Sequence, residues 1–166
     1  LISSNQISGL DGNHSVLILN DFGKHNLYTR FIKTPGTHPT VLQVTQVALS
    51  VLGDLSLAHQ HGVIHGDIKS KNIAFDEQIG ATLVDWGTSR FIDARKNPPM
   101  ILQGRTYHLG SMVMSPNQRP LEAWMVGLGN RGFSYGTSAD IWSLGCTLYE
   151  TIMGSVLFPV SRLPAG

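Results

Sequence analysis

The chain has 166 residues, 42% apolar and 14% charged, and its 12 Lys and Arg against 11 Asp and Glu leave a formal net charge of +1. That composition excludes intrinsic disorder, which needs low hydrophobicity and high charge, and it offers no basic field for nucleic acid or an anionic membrane. No uninterrupted apolar run approaches the roughly 18 residues of a bilayer span, the single Cys146 cannot close an internal disulfide, and the start at Leu1 lacks a signal-peptide pattern, so an intracellular protein without membrane or nucleic-acid partners is expected.

In chain order, His14 to Leu19 reads as a short buried strand, broken at Asn20-Asp21-Phe22-Gly23. Thr34 to His38 reads as a loop. A long helix is expected over 39–61, with Pro39 in its first turn. Its apolar face is drawn by Val41, Val44, Ala48, Val51, Leu52 and Leu55 at spacings of three and four, and Gly62 suits its end. Ile73-Ala74-Phe75 and Ala81-Thr82-Leu83-Val84 read as a hairpin around the four-residue loop Glu77 to Gly80. That loop length pairs Phe75 with Thr82, Ala74 with Leu83 and Ile73 with Val84. Phe91 to Pro120 reads as irregular, and a loop of that length is usually functional. Thr137-Ser138-Ala139-Asp140 opens a second helix, expected over 137–154, apolar nearly all round and therefore buried.

Chemistry is concentrated between Val63 and Gly87. His65-Gly66-Asp67-Ile68-Lys69-Ser70-Lys71-Asn72 is followed by Val84-Asp85-Trp86-Gly87. The expected register sets Asn72 directly opposite Asp85, where cross-strand neighbours meet. A carboxylate and an amide oxygen so placed suit Mg²⁺, which takes oxygen ligands and shares them with phosphates. Asp67 is then free to act as a base, and Lys69 to neutralise a transferring phosphoryl group.

The pattern H-x-D-x-K-x-x-N followed by D-x-G resembles the catalytic loop and metal motif of eukaryotic protein kinases. Val16 to Phe22 resembles the last small-lobe strand and the hinge (14–22), Arg119-Pro120-Leu121-Glu122 an Ala-Pro-Glu-like triplet, and Asp140 to Cys146 the buried large-lobe helix. The resemblance implies an α+β, kinase-like fold, mostly the α-helical large lobe, with the small lobe largely missing. The segment 63–87 would hold the catalytic loop and metal hairpin, and 88–122 the activation segment. It implies ATP and Mg²⁺ as cofactors and a protein substrate, with phosphoryl transfer to Ser or Thr hydroxyls. Asp67 would act as the base and Lys69 on the γ-phosphate. Asn72 and Asp85 would hold the metal. Asn20, Asp21, Phe22 and Ala74 would join Lys69, Asn72 and Asp85 around the nucleotide. Ser115, seven before Glu122, would meet Asp67 and Lys69 in the substrate loop, and His65, Glu122 and Asp140 would be structural.

Each residue also has a plainer reading. Asp67 alone would be a turn residue, Asp85 a strand end, and Ser115 an exposed Ser-Pro turn. Asp140 could cap its own helix or be a buried carboxylate that accepts backbone N–H groups from the catalytic loop. His65 reads as packed core and Cys146 as inert core. His59, His61 and His65 straddle a helix end and make a poor metal set, and Gly127 to Gly132 matches a nucleotide fingerprint in the wrong context. Gly66 replaces the family's usual Arg, and Trp86 its Phe. Those two residues also fit small-molecule phosphotransferases of the aminoglycoside or choline kinase type. An inactive fragment or pseudokinase acting as a binding module is a third reading.

Overall fold

A computed structural model describes residues 25–92, 100–102, 105–107, 114–127 and 136–160. The strand expected at 14–19, with Asn20, Asp21 and Phe22, lies outside them. The elements are β1 (His25–Asn26), a π-helical turn (Tyr28–Ile32), α1 (Val41–Gln60), β2 (Val63–Ile64), β3 (Ile73–Asp76), β4 (Gly80–Leu83), β5 (Arg90–Phe91), β6 (Met100–Leu102), β7 (Arg105–Tyr107), α2 (Leu121–Gly127) and α3 (Thr137–Met153).

Helix α1 starts at Val41, two residues after the Pro39 expected in its first turn. Thr40 is the cap: its hydroxyl accepts the Gln43 N–H and the Gln43 side chain accepts the Thr40 N–H, a capping box. Gly62, at φ 71°, follows the C-cap His61 as expected. The buried stripe is Val47, Val51 and Leu55. Val41 and Leu52, expected in the apolar face, are exposed. The correction has a simple cause: Val47, Val51 and Leu55 repeat every four residues, and that single ridge faces β4 and α3. By length and composition α1 could also cross a bilayer, but Asp54 at its middle accepts hydrogen bonds from the Leu83 N–H at 2.8 Å and the Thr82 hydroxyl at 2.9 Å, which fastens the helix to β4.

Strands β1, β3 and β4 form an antiparallel sheet in the order β1-β3-β4. The β3–β4 register is Ile73↔Leu83, Ala74↔Thr82, Phe75↔Ala81 and Asp76↔Gly80. This is one residue away from the expected pairing. The turn holds three residues, because Asp76 and Gly80 still pair and the Asp76 carboxylate accepts the N–H groups of Gln78 and Ile79. Asn72 therefore faces Val84, whose N–H donates to the Asn72 carbonyl at 3.0 Å, and Asp85 is not opposite Asn72.

Leu27, Phe31, Ile68, Phe75, Leu83 and Leu144 join the α1 ridge in the main core, with the Phe31 and Phe75 rings 5.2 Å apart. The stretch expected to be irregular contains β5, paired with β2, and a hairpin of β6 and β7. Helix α2, which the sequence pattern did not reveal, starts from the Pro120 carbonyl, which accepts the Trp124 N–H. Helix α3 begins at Thr137 as expected, but it is not buried all round. It buries Asp140, Ser143, Thr147 and Thr151 along with Leu144 and Cys146, and leaves Ile141, Trp142 and Ile152 half exposed. Its small polar residues are satisfied within the helix: Ser143 and Thr147 donate to carbonyls four residues back.

Leu55→Ala removes a side chain that is 1% exposed and should cost about 2–5 kcal/mol in a urea unfolding titration. Leu57→Ala, at 63% exposure, should stay within about 0.5 kcal/mol of the parent.

Candidate active site

The loop from His65 to Asn72 leaves β2 and is fixed by a buried carboxylate. Asp140 is wholly inaccessible. Its Oδ2 accepts the His65 N–H at 2.9 Å and the His59 Nε2–H at 2.9 Å, and its Oδ1 accepts the Gly66 N–H at 3.0 Å. Asp140 is thus the loop-holding carboxylate, not a cap of α3, whose N-cap is Gly136. Gly66 sits at φ 79°, and a Cβ there would lie 3.3 Å from the Thr88 carbonyl. A left-handed backbone and a close neighbour both suit glycine.

His65 is core, as expected, with none of its surface exposed. Its Nδ1 accepts the Asp67 N–H at 3.3 Å and its Nε2 donates to the Val84 carbonyl at 3.1 Å, a pattern that requires the neutral ring. Burial pushes its pKa below the ordinary 6.5.

Three side chains converge on the Asp67 carboxylate. Lys69 Nζ lies 2.5 Å from Oδ2, Asn72 Nδ2 3.2 Å from Oδ2, and the Ser115 hydroxyl 2.5 Å from Oδ1, which also accepts the Ser115 N–H. Lys69 Nζ is also 3.4 Å from Ser115 Oγ. Asp67, Lys69, Asn72 and Ser115 form one cluster, although 46 residues separate Lys69 from Ser115. The sequence resemblance brought these four together and the structure does the same.

Asp85 stands apart from this cluster. It follows β4 in the left-handed region, φ 62° and ψ 62°, and is exposed. Among the described residues no donor meets its carboxylate. Asn72 spends its amide nitrogen on the Asp67 carbonyl and carboxylate, which leaves its Oδ1 as an acceptor. Two such oxygens suit a hard cation that completes its shell elsewhere. Among the described residues no three His, Cys, Asp or Glu side chains gather into a metal cage, so an ion here would need oxygens from a phosphate ligand. The expected Asn72–Asp85 opposition is corrected by the register, which sets Val84 opposite Asn72.

Of the other candidates, Ala74 is buried in β3 and Glu122 lies half-buried in the first turn of α2. A cavity of about 340 Å³ adjoins the cluster, lined by Tyr28, Lys69, Lys71, Ser115 and Glu150 among others. Burial pushes the Glu150 carboxyl above the ordinary range, and its Oε2 accepts the Ser70 hydroxyl at 3.1 Å. A larger apolar cavity of about 600 Å³, between Trp124, Trp142 and Phe158, does not touch Asp67.

Two residues of the site's frame escaped sequence reasoning. His59 is the third donor to Asp140, and the signal was its position four after Leu55, on the buried ridge. Thr88, whose hydroxyl donates to the His65 carbonyl at 3.1 Å, carried no signal.

The neutral buried His65 makes stability depend on pH. Unfolding lets it take up a proton below about pH 6.5, so its contribution is complete above that value and is lost as pH falls toward the lowered folded pKa. The unfolding free energy of the parent should drop by up to about 1.4 kcal/mol per pH unit between pH 6.5 and 5 from this group. His65→Phe should be less stable at pH 7 and show a flatter slope over that window. Parallel profiles for the two proteins would refute the assignment.

The protein kinase domain family matches residues 6–163. A probable serine/threonine-protein kinase of Arabidopsis thaliana is 28% identical over 87% of this chain and 18% of its own length. A probable dual specificity protein kinase of Encephalitozoon cuniculi is 31% identical over 81% of the chain and 29% of its own. Human mitogen-activated protein kinase 13 is 28% identical over 70% of the chain and 27% of its own. The chain thus spans less than a third of the length of each of these relatives. A match over nearly all of its residues, in a chain whose Asp67, Lys69, Asn72 and Ser115 meet in one cluster, places it in the protein kinase domain family.

Proposed function

We propose that the protein containing this chain transfers the γ-phosphoryl group of ATP to Ser or Thr hydroxyls of proteins, with Asp67 as the base. The observation that carries the reading is the convergence of Lys69, Asn72 and Ser115 on one carboxylate beside an open cavity. An acceptor hydroxyl that takes the place of the Ser115 hydroxyl on Asp67 Oδ1 would be oriented there and would give up its proton as the oxygen–phosphorus bond forms and the bond to the leaving diphosphate breaks. Lys69 neutralises charge on the transferred group. Bound Mg²⁺ would screen the phosphates, and Asn72 Oδ1 with the Asp85 carboxylate would hold it. The names of the relatives support protein acceptors. Gly66 and Trp86 favour the second reading, a small-molecule alcohol as acceptor.

In domain terms, we assign 39–61, 63–87, 88–122 and 137–154 to the long helix, catalytic loop and metal hairpin, activation segment and central helix of a kinase large lobe. The hinge would be 14–22, with Asn20, Asp21 and Phe22 beside the adenine and Ala74 beneath it.

In the full-length protein, Asp67→Asn should lower kcat for phosphate transfer from labelled ATP about 10²–10⁴-fold while nucleotide affinity stays within a few-fold. Ser115→Ala should lower activity and Ser115→Thr should restore most of it. Full activity in Asp67→Asn would refute the reading, and transfer to small alcohols but to no protein would establish the alternative.

A further inference from the structure

The 3₁₀ turn Ser70–Asn72 closes the loop that carries Asp67, and the Asn72 N–H donates to the Lys69 carbonyl at 2.9 Å. Two of its side chains are buried and used. The Ser70 hydroxyl donates to Glu150 Oε2, and the Asn72 amide donates to Asp67. Lys71, between them, is exposed. Its ammonium sits over the Tyr28 ring, 4.8 Å from the centroid, a cation–π contact that places the charge without neutralising it. Lys69 pairs with Asp67 and Arg30 with Glu77, whereas no carboxylate among the described residues pairs with Lys71.

Tyr28 and Lys71 line the cavity of about 340 Å³ together with Lys69 and Ser115, two side chains bonded to Asp67. Asn72 and Asp85 do not line it, so it is separate from the oxygens read as metal ligands. A peptide whose hydroxyl rests on Asp67 Oδ1 therefore brings its neighbouring residues to this cavity. Glu150 is the one carboxylate among the described lining residues, and it is half-buried and already supplied. Its Oε2 accepts the Ser70 hydroxyl at 3.1 Å. Burial pushes its carboxyl up, against the opposing pull of Ser70 and of the Lys71 charge. The exposed, unpaired charge in the lining is the ammonium.

We propose that Lys71, held by Tyr28, is a specificity-determining residue: it selects acceptor segments that carry an anionic side chain, a carboxylate or a phosphorylated residue, beside the Ser or Thr hydroxyl. The inference rests on the reading of proteins as acceptors, and its test separates the two.

The probes are synthetic peptides with a single acceptor Ser in an Ala and Gly background, each with Asp, phosphoserine, Ala or Arg at one position near the acceptor. Binding to the full-length protein is read by fluorescence anisotropy on copies in which Ala replaces the acceptor, and transfer by labelled ATP on the Ser forms. At the favoured position the Asp peptide should bind roughly twofold to fivefold tighter than the Ala peptide, the worth of one exposed ion pair, and the Arg peptide should bind more weakly. Phosphoserine binding several-fold tighter than Asp identifies a previously phosphorylated substrate, and equal binding an acidic one. The preference should shrink at about 1 M salt. Lys71→Arg should keep this order, Lys71→Ala should level it, and Lys71→Glu should reverse it in favour of Arg. Each variant is judged by the ratio between its own peptides, and its Tm should match the parent because the side chain is exposed. An Asp-to-Ala ratio unchanged in Lys71→Glu would overturn the assignment. So would a parent that favours Arg, which would give the recognition to Glu150. Transfer without any charge preference would refute the role of Lys71 and leave the reaction standing. Transfer to none of the Ser peptides, with the binding order intact, would refute the reaction and not the anion preference set by Lys71.

Discussion

A charged group with no exposed surface is tolerable only when donors surround it, and Asp140 is such a group. It meets two backbone N–H groups and one imidazole N–H. Those donors belong to α1 and to the loop before Asp67, while the carboxylate belongs to α3. One side chain thus ties α3 to two segments that lie 74 or more residues before it in sequence. His65 extends the tie, since its ring passes the constraint to Val84 and receives the Asp67 N–H. Asp67 is held in place by a network that starts in the first turn of α3.

A second constraint acts from the opposite side. Asp54 in α1 bonds the edge of β4 at Thr82 and Leu83, and the Val47–Val51–Leu55 ridge packs beneath the same sheet. The hairpin cannot slide without losing these partly buried hydrogen bonds. The chain leaves β4 toward Asp85 from a fixed point, and leaves β2 toward Asp67 from another. The relation between the two carboxylates is set by helices α1 and α3 more than by the hairpin that joins them in sequence.

This explains which parts were legible. Helix α3 and the end of α1 announced themselves through spacing and through Gly62, because those signals are local. The set Asp67, Lys69, Asn72 and Ser115 was legible because an ordered pattern of residue types resembles a family, and the structure gathers the same four. The hairpin register was not legible. It depended on whether Gly80 belonged to the turn or to the strand, and the Asp76 side chain decides that by bonding the N–H groups of Gln78 and Ile79. A shift by one residue exchanges the faces of a strand, so the geometric argument that set Asn72 opposite Asp85 failed. The buried face of α3 was misread for a different reason. Ser143, Thr147 and Thr151 look like surface residues until their hydroxyls are seen to bond their own helix.

The five described aspartates share one functional group and differ in their donors. Asp76 is exposed and takes two N–H groups of its own turn, which lowers its pKa. Asp54 takes a strand N–H and a hydroxyl, and Asp140 takes three N–H groups. All three are consumed by the fold, and substituting any of them leaves a donor without its acceptor. Asp67 differs, because the side chains bound to it are Lys69 and Asn72 of its own loop and Ser115 from a distant segment. Asp85 differs further, with no donor among the described residues and a backbone conformation that something else must maintain. A carboxylate that the fold holds in place but does not satisfy is available to a ligand. By that criterion Asp85 is the open carboxylate of the five, whereas Asp67 already accepts hydrogen bonds from Lys69, Asn72 and both the hydroxyl and the N–H of Ser115.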